Sequence, residues 1–409
     1  MTISKKIATE KTAFEKSVPK SIIVLLSALV AFGPLSIDMY LPSLPIIAQD
    51  LQSPVSEVQK TITLFLIGFS AGMLVYGPLS DRFGRKKLLL IGIVIYILAT
   101  LGCILANQIE QLQFFRLLQA IGGASASVLS RALVRDLFSN AEIPKILSLM
   151  HIITIMATLA APILGALIAE YLNWSGIFIF LFVYALLCLI WSKRAIQLPP
   201  STHVPAGILS NYKAVLSSRF AWGLMLCNSF SFGGMFAYIT ASSFVFIQYY
   251  GFSPTQYGYL FAFNLFSILV FTSINTRALK YCSALQLLKI MACISCISGL
   301  YLAYITYLNL QSSVWLIIGL ACFVGVTGSI GANSMANLLR ILPKQAGTAS
   351  GLSVSMQFAM GAVMSYIVSL LFNNNHPAAM SIIICVSACL CLFSLLLTKG
   401  LKEYIVSSN

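Results

Sequence analysis

YGPLSDRFGRKKLLL, Tyr76–Leu90, joins two long apolar runs. Four of its residues, Arg82, Arg85, Lys86 and Lys87, are basic. A basic loop between apolar runs marks a cytoplasmic connection between membrane helices. Charge alone leaves two glycines and an acid unexplained. Gly77, Asp81, Arg82, Gly84, Arg85 and Lys86 form the pattern G-x-x-x-D-R-x-G-R-K. Gly84 suits a tight turn with positive φ. Asp81 suits compensation of a helix terminus or pairing with a base. Arg131 and Arg135 are the candidate partners.

The flanking runs are two of many. Hydrophobic residues make up 59% of the 409 and charged residues 9%, against about 25% charged in soluble chains. Apolar runs of about 20 residues recur along the whole length, which is the membrane-helix signal. The chain reads as an all-α polytopic membrane protein, with no polar segment long enough for a soluble enzymatic domain. Twelve spans are expected near 20–44, 57–79, 87–106, 111–136, 145–170, 174–193, 220–248, 254–276, 284–307, 312–338, 347–371 and 376–399. They divide into a cytoplasmic tail (1–19), a six-helix half (20–193), a cytoplasmic linker (194–219), a second six-helix half (220–399) and a C-terminal tail (400–409). The polar N-terminal tail with five lysines, and the lack of a small-residue cleavage site after it, argue against a cleaved signal peptide.

The count can be tested by charge. With the N-terminus inside, 23 of the 25 lysines and arginines fall in cytoplasmic segments. Both termini are therefore expected in the cytoplasm. The exceptions are Lys60, at the outer start of span two, and Arg116, inside span four. The net charge of +14 is thus a topology signal and implies no nucleic-acid partner. Nine of the ten cysteines fall in apolar runs, where free thiols behave as small hydrophobes. The Cys293/Cys296 pair has no further ligand nearby, so no metal or cofactor is expected.

Asp38 is the one acid well inside a span, and Arg116 the one base. An intramembrane acid is costly and usually pairs with another polar group facing the bundle interior. Both residues count to similar depth from the expected outer helix ends, which predicts that they are mutual partners, directly or through water. A fixed pair would only hold helices together. A pair whose water access or separation changes during a cycle would change the proton occupancy of Asp38.

Arg116, Gln119, Gly123 and Ser127 share one face of span four, and polar faces in a bilayer turn inward. Asn228, Ser231, Met235, Tyr238 and Ser242 make a similar stripe in span seven. Tyr257, Phe261 and Asn264 in span eight and Gln357 and Gly361 in span eleven extend the set. With Tyr40, these residues sketch a central substrate cavity for amphipathic ligands. Helix–helix hydrogen bonding is the alternative use of the same Asn and Gln side chains.

The loop, the twelve spans and the central linker together resemble the major facilitator superfamily. SIDMYLPSLP in span one, RLLQAIGGASASVLSRALVRD in span four and AGTASGLSVSMQF at span eleven resemble its bicyclomycin/chloramphenicol-resistance (Bcr/CflA) subfamily of drug:proton antiporters. That resemblance implies proton-coupling roles for Asp38 and Arg116. It also implies an inner-side latch of Gly77, Asp81, Arg82, Gly84 and Arg85, with Arg135 as partner of Asp81. LAAPILGALIAE in span five is similar to the antiporter motif G-P-x-x-G-G. Pro162 and Gly165 remain, and Ala161 and Ala166 replace two glycines.

The function so implied is proton-coupled efflux of drug-like or other small amphipathic compounds across the bacterial inner membrane, by alternating access in a monomer. Export of one metabolite, such as a siderophore or nucleoside, and proton-coupled uptake are the alternatives. No HExxH, GxSxG or clustered His/Asp set points to an enzyme.

Overall fold

The computed structural model describes residues 21–139, 142–197, 208–309, 312–372 and 376–401. The expected tail 1–19, the linker centre with His203, and the C-terminal tail beyond Leu401 lie outside the described residues. Among the described residues the secondary structure is helical, with no strand.

Twelve spans follow one another. The first, α1, is a bent pair, Ser21–Val30 and Phe32–Asp50, with a 46° break between them. Then come α2 Val55–Phe83, α3 Arg85–Ile104, α4 Ile109–Leu137, α5 Ile143–Leu172 and α6 Ser175–Ala195. A short linker helix, Ile208–Leu216, precedes the second set. That set is α7 Arg219–Tyr249, α8 Pro254–Ala278, α9 Ala284–Tyr307, α10 Ser313–Ile341, α11 Ala346–Leu371 and α12 Ala378–Thr398.

The eleven later spans begin and end within a few residues of their expected places. Local signals explain several starts. Ser253 with Gln256, and Ser283 with Gln286, form reciprocal capping boxes at α8 and α9. Pro254 occupies the first turn of α8, where its missing N–H costs nothing.

The first span departs from expectation. It does not stop near Leu44 but continues through a 3₁₀ turn, Leu41–Ser43, into Leu44–Asp50. Pro42 and Pro45 each sit in the first turn of a helical segment, so they begin turns instead of ending the span. Asp38 therefore lies about 18 Å from the Asp50 end at 1.5 Å per residue, deeper than the sequence count placed it. The Trp174 indole at the head of α6 donates to Asp50 Oδ2 at 2.7 Å and ties down this extension.

Within the first six spans α4 packs on α2 and α3, α3 on α6, and α1 on α5. Within the second six α7 packs on α11 and α12, α10 on α8 and α9, and α9 on α12. The two sets meet chiefly along α2–α11 and α5–α8. Hydroxyls stitch the α2–α11 seam. Ser70 Oγ donates to the Ser355 carbonyl at 2.9 Å, and Ser355 Oγ donates to the Ser70 carbonyl at 3.0 Å. Further along, the Ser365 hydroxyl lies 2.8 Å from both Thr63 and Thr240. Buried hydroxyls in a bilayer have no water to turn to, so partners across the seam favour this arrangement of the halves.

Candidate functional site

Arg116 is fully buried and forms the centre of the first half. Its Nη1 donates to the Ser36 carbonyl at 3.0 Å and to Gln119 Oε1 at 2.8 Å. Gln119 Nε2 passes the network to Thr100 Oγ1 at 2.8 Å, and Thr100 donates to the Tyr96 carbonyl. The Tyr96 and Ser36 hydroxyls are 2.6 Å apart. Three rings surround the guanidinium, with centroids 4.4 Å (Tyr40), 4.5 Å (Phe65) and 5.8 Å (Phe178) away. Their negative faces replace part of the lost hydration. Nε and Nη2 have no hydrogen-bond partner among the described residues.

Asp38 is not in this cage. Among the described residues it forms no ion pair, and the electrostatic neighbours of Arg116 are Tyr40, Cys103 and Tyr96. The expected Asp38–Arg116 partnership is thus corrected. Its failure is one of azimuth. Ser36 and Tyr40, four residues apart, present one face of α1 to Arg116. Asp38 is two residues from Ser36, about 200° around the helix. Its carboxyl instead comes within electrostatic range of Tyr238 on α7 and Tyr257 on α8. Asp38 is 6% exposed.

The motif in α5 shapes this position. Gly165 lies against the Met39 carbonyl so closely that a Cβ there would overlap it. Pro162 is inside α5, and its carbonyl faces Gly258 of α8. The Pro162–Gly165 segment therefore sits between the α1 residue next to Asp38 and the second half.

The other candidate cavity residues form separate groups. Tyr40 contacts Arg116 and shares a 3.0 Å hydrogen bond with Thr61. Gln119 is likewise committed to Arg116. Asn264 Nδ2 donates to the Tyr238 hydroxyl at 3.0 Å, and Tyr238 stacks on Phe261. The Tyr257 hydroxyl pairs with Ser242 at 2.7 Å. Gln357 Nε2 donates to Asn228 Oδ1 at 2.9 Å, joining α11 to α7. Gly123 lies beside Tyr96 and Phe69.

A run of aromatic rings connects the Arg116 cage to the second half, and the sequence reading missed it. Phe65 stacks on Phe69. Phe69 meets Phe358 of α11 at 4.7 Å, and Phe358 meets Phe232 of α7 at 5.4 Å. Phe65 and Phe69, four apart on α2, were the available signal.

The basic loop is a tight turn with Gly84 at φ 90°. The Asp81 partner is corrected. Its carboxylate lies 3.4 Å from Arg85, not paired with Arg131 or Arg135. Arg85 is held mainly by Asp136 and by the Ala132 carbonyl at 3.0 Å. Asp136, at the end of α4, was not singled out from sequence. Arg135 lies beside Gly347 at the start of α11, across the seam. Lys86 donates to the Lys193 carbonyl at 3.1 Å, at the α6 C-terminus, where a cation is favoured. Among the described residues no partner of Gly77 or Arg82 adds a latch contact: Gly77 has open space beside it and Arg82 lies over the Phe83 ring.

Thiol pairs join α12 to its neighbours, Cys227 to Cys391 at 3.5 Å and Cys296 to Cys389 at 3.7 Å. No group of three or more His, Cys, Asp and Glu able to hold a metal occurs among the described residues.

The Major Facilitator Superfamily profile matches residues 25–365. This chain belongs to the major facilitator superfamily. The facilitator is 34% identical to a bicyclomycin resistance protein homolog of Haemophilus influenzae, over 93% of this chain and 97% of that one. It is 32% identical to a chloramphenicol resistance protein of Pseudomonas aeruginosa, over 59% and 58%. In shape it is similar to a D-xylose–proton symporter, with a TM-score of 0.73 over 93% of this chain and 98% of the other. Identity to that structure is 18%, so the likeness is one of fold. This facilitator is a multi-pass transporter of the bacterial inner membrane with drug-resistance relatives.

Proposed function

We propose that this transporter exports drug-like or other small amphipathic compounds in exchange for protons, with Asp38 as the proton carrier. The observation that carries the reading is a membrane-interior carboxyl with no cationic partner among the described residues, placed at the seam between halves. An acid fixed in an ion pair would stay ionised. One left outside an ion pair can take or release a proton as water reaches it. Protonated, Asp38 lets the seam close around it; ionised, it attracts a cationic or hydrogen-bonding cargo. Proton and cargo thus compete for one position while the halves rock about it.

Arg116 fixes the face of α1. By holding Ser36 and Tyr40 it keeps Asp38 turned toward α7 and α8. The charge distribution supports a topology with both termini and the Gly84 turn in the cytoplasm. The drug-resistance relatives support an amphipathic cargo.

The test is transport of a fluorescent cationic drug in vesicles with an imposed pH gradient. Wild-type protein is expected to move the drug against its gradient. Asp38→Asn, the same size but unable to release a proton, is expected to fall to the level of protein-free vesicles. Gradient-driven transport by Asp38→Asn at the wild-type rate would sink the assignment.

A further inference from the structure

A cavity of about 770 Å³ opens between α2 and α11, away from the candidate site. Its walls are Leu64, Ile67, Ala71 and Leu74 of α2, with Ala359 and Val363 of α11. Ile67 and Val363 are 46% and 50% exposed, so in a membrane protein the groove faces lipid. Its length is set by Lys60 to Leu74, fourteen residues or about 21 Å of helix. That matches one leaflet with its headgroup layer, half of the roughly 40–45 Å bilayer.

One end of the groove is charged. Lys60 Nζ donates to Glu57 Oε1 at 2.6 Å, and Gln113 Nε2 donates to Glu57 Oε2 at 3.1 Å. Both charged side chains are about one-third exposed, at 29% and 34%. The ammonium has three donors, and among the described residues only one is used. The carboxylate keeps free lone pairs. Lys60 is also the basic residue that the topology rule leaves at the wrong end of α2, and the groove gives it a use.

We propose that this groove is a binding site for one zwitterionic phospholipid of the phosphatidylethanolamine class. An acyl chain lies along the apolar walls, the phosphate meets Lys60 and the ammonium meets Glu57. The zwitterion matches the adjacent plus and minus of the protein pair, which an anionic headgroup matches only in part. The walls belong to opposite halves, and the hydroxyls of Thr63 and Ser70 in the groove bond across the seam. A lipid seated there binds only while α2 and α11 stay together along this length, so it favours that conformation by its differential affinity. The site does not depend on which compound is exported.

The test is native mass spectrometry of the full chain in detergent, titrated with dioleoyl phosphatidylethanolamine or dioleoyl phosphatidylglycerol. The wild type is expected to hold one phosphatidylethanolamine, about fivefold tighter than phosphatidylglycerol, the scale of one interfacial charge contact. Ala359→Phe fills the groove from its lipid-exposed wall and is expected to abolish the adduct. Lys60→Ala is expected to weaken it about fivefold. Glu57→Gln is expected to erase the preference between the two lipids. All three sites are exposed or half-exposed, and an unchanged melting temperature certifies each variant. Equal binding of both lipids by wild type, or an adduct that survives Ala359→Phe, would overturn the proposal. So would release of the lipid by one equivalent of a transported drug, which would make the groove a cargo path.

Discussion

Asp38 and Arg116, an acid and a base buried in the first half, belong to different sides of α1 by the helical count. Arg116 bonds the backbone at Ser36 and packs on the Tyr40 ring, while Asp38 lies within electrostatic range of Tyr238 and Tyr257 of the second half. The base is thus sealed within one half and the acid stands at the junction of the two. A mobile junction changes the surroundings of Asp38 far more than those of Arg116.

Among the described residues Arg116 has no carboxylate partner, and two of its nitrogens lack hydrogen bonds. Exchange of a whole buried ion pair for apolar residues of similar volume is often neutral, or stabilising by about 1–4 kcal/mol, and a buried cation without a counter-charge is costlier still to keep. Arg116→Met is therefore expected to keep or raise the melting temperature while transport is lost, because α1 is no longer held in azimuth. Differential scanning fluorimetry beside a transport assay checks this. A large drop in melting temperature would show that the cage is chiefly a stabilising feature.

Gly165 has backbone, not a flexible side chain, where a Cβ would go. Gly165→Ala is expected to push α5 from the Met39 segment at a cost of about 1–3 kcal/mol. The melting temperature should fall and transport should weaken with it. Ala161→Gly and Ala166→Gly restore the glycines of the resembled motif and should leave both intact.

The loop is held by Arg85 and Asp136 more than by Asp81. Hydrogen exchange of the amides from Asp81 to Leu88 should quicken in Asp136→Asn. It should change little in Arg135→Ala, whose guanidinium points across the seam to Gly347. The reverse order would restore Arg135 as the residue holding the loop.

The Ser70 and Ser355 hydroxyls are 3.1 Å apart across the seam. In Ser70→Cys/Ser355→Cys, oxidation should cross-link the halves and arrest transport, and a reductant should restore it. Each single variant controls for the native thiols. Undiminished transport by the oxidised double variant would mean that α2 and α11 do not separate here during the cycle.

How much of this was legible in the sequence follows from what each signal measures. Apolar run length and the bias of Lys and Arg give the span number, because the bilayer fixes the first and topology the second. Eleven spans therefore lie where expected. The first does not, since its expected end is residue 44, near Pro42 and Pro45, although proline is also accepted in a first helical turn. Asp38 and Arg116 stood out as the polar exceptions in an apolar background. The depth of Asp38 is miscounted from sequence because α1 runs on to Asp50, and its facing depends on the angle around α1, which the i, i+4 relation of Ser36 and Tyr40 encodes only once Arg116 is known to contact them. Asp136 was hidden at a helix end among ordinary loop charges, where pairing is decided by which turns meet in space.

The central claim is that Asp38 gives up a proton when cargo binds. The most direct measurement is proton release from the detergent-solubilised protein on adding a transported drug, followed with a pH indicator in weak buffer. Release is expected from the wild type, none from Asp38→Asn, and retention of drug binding in at least the wild type. Equal release from both proteins would contradict it and move the coupling acid elsewhere.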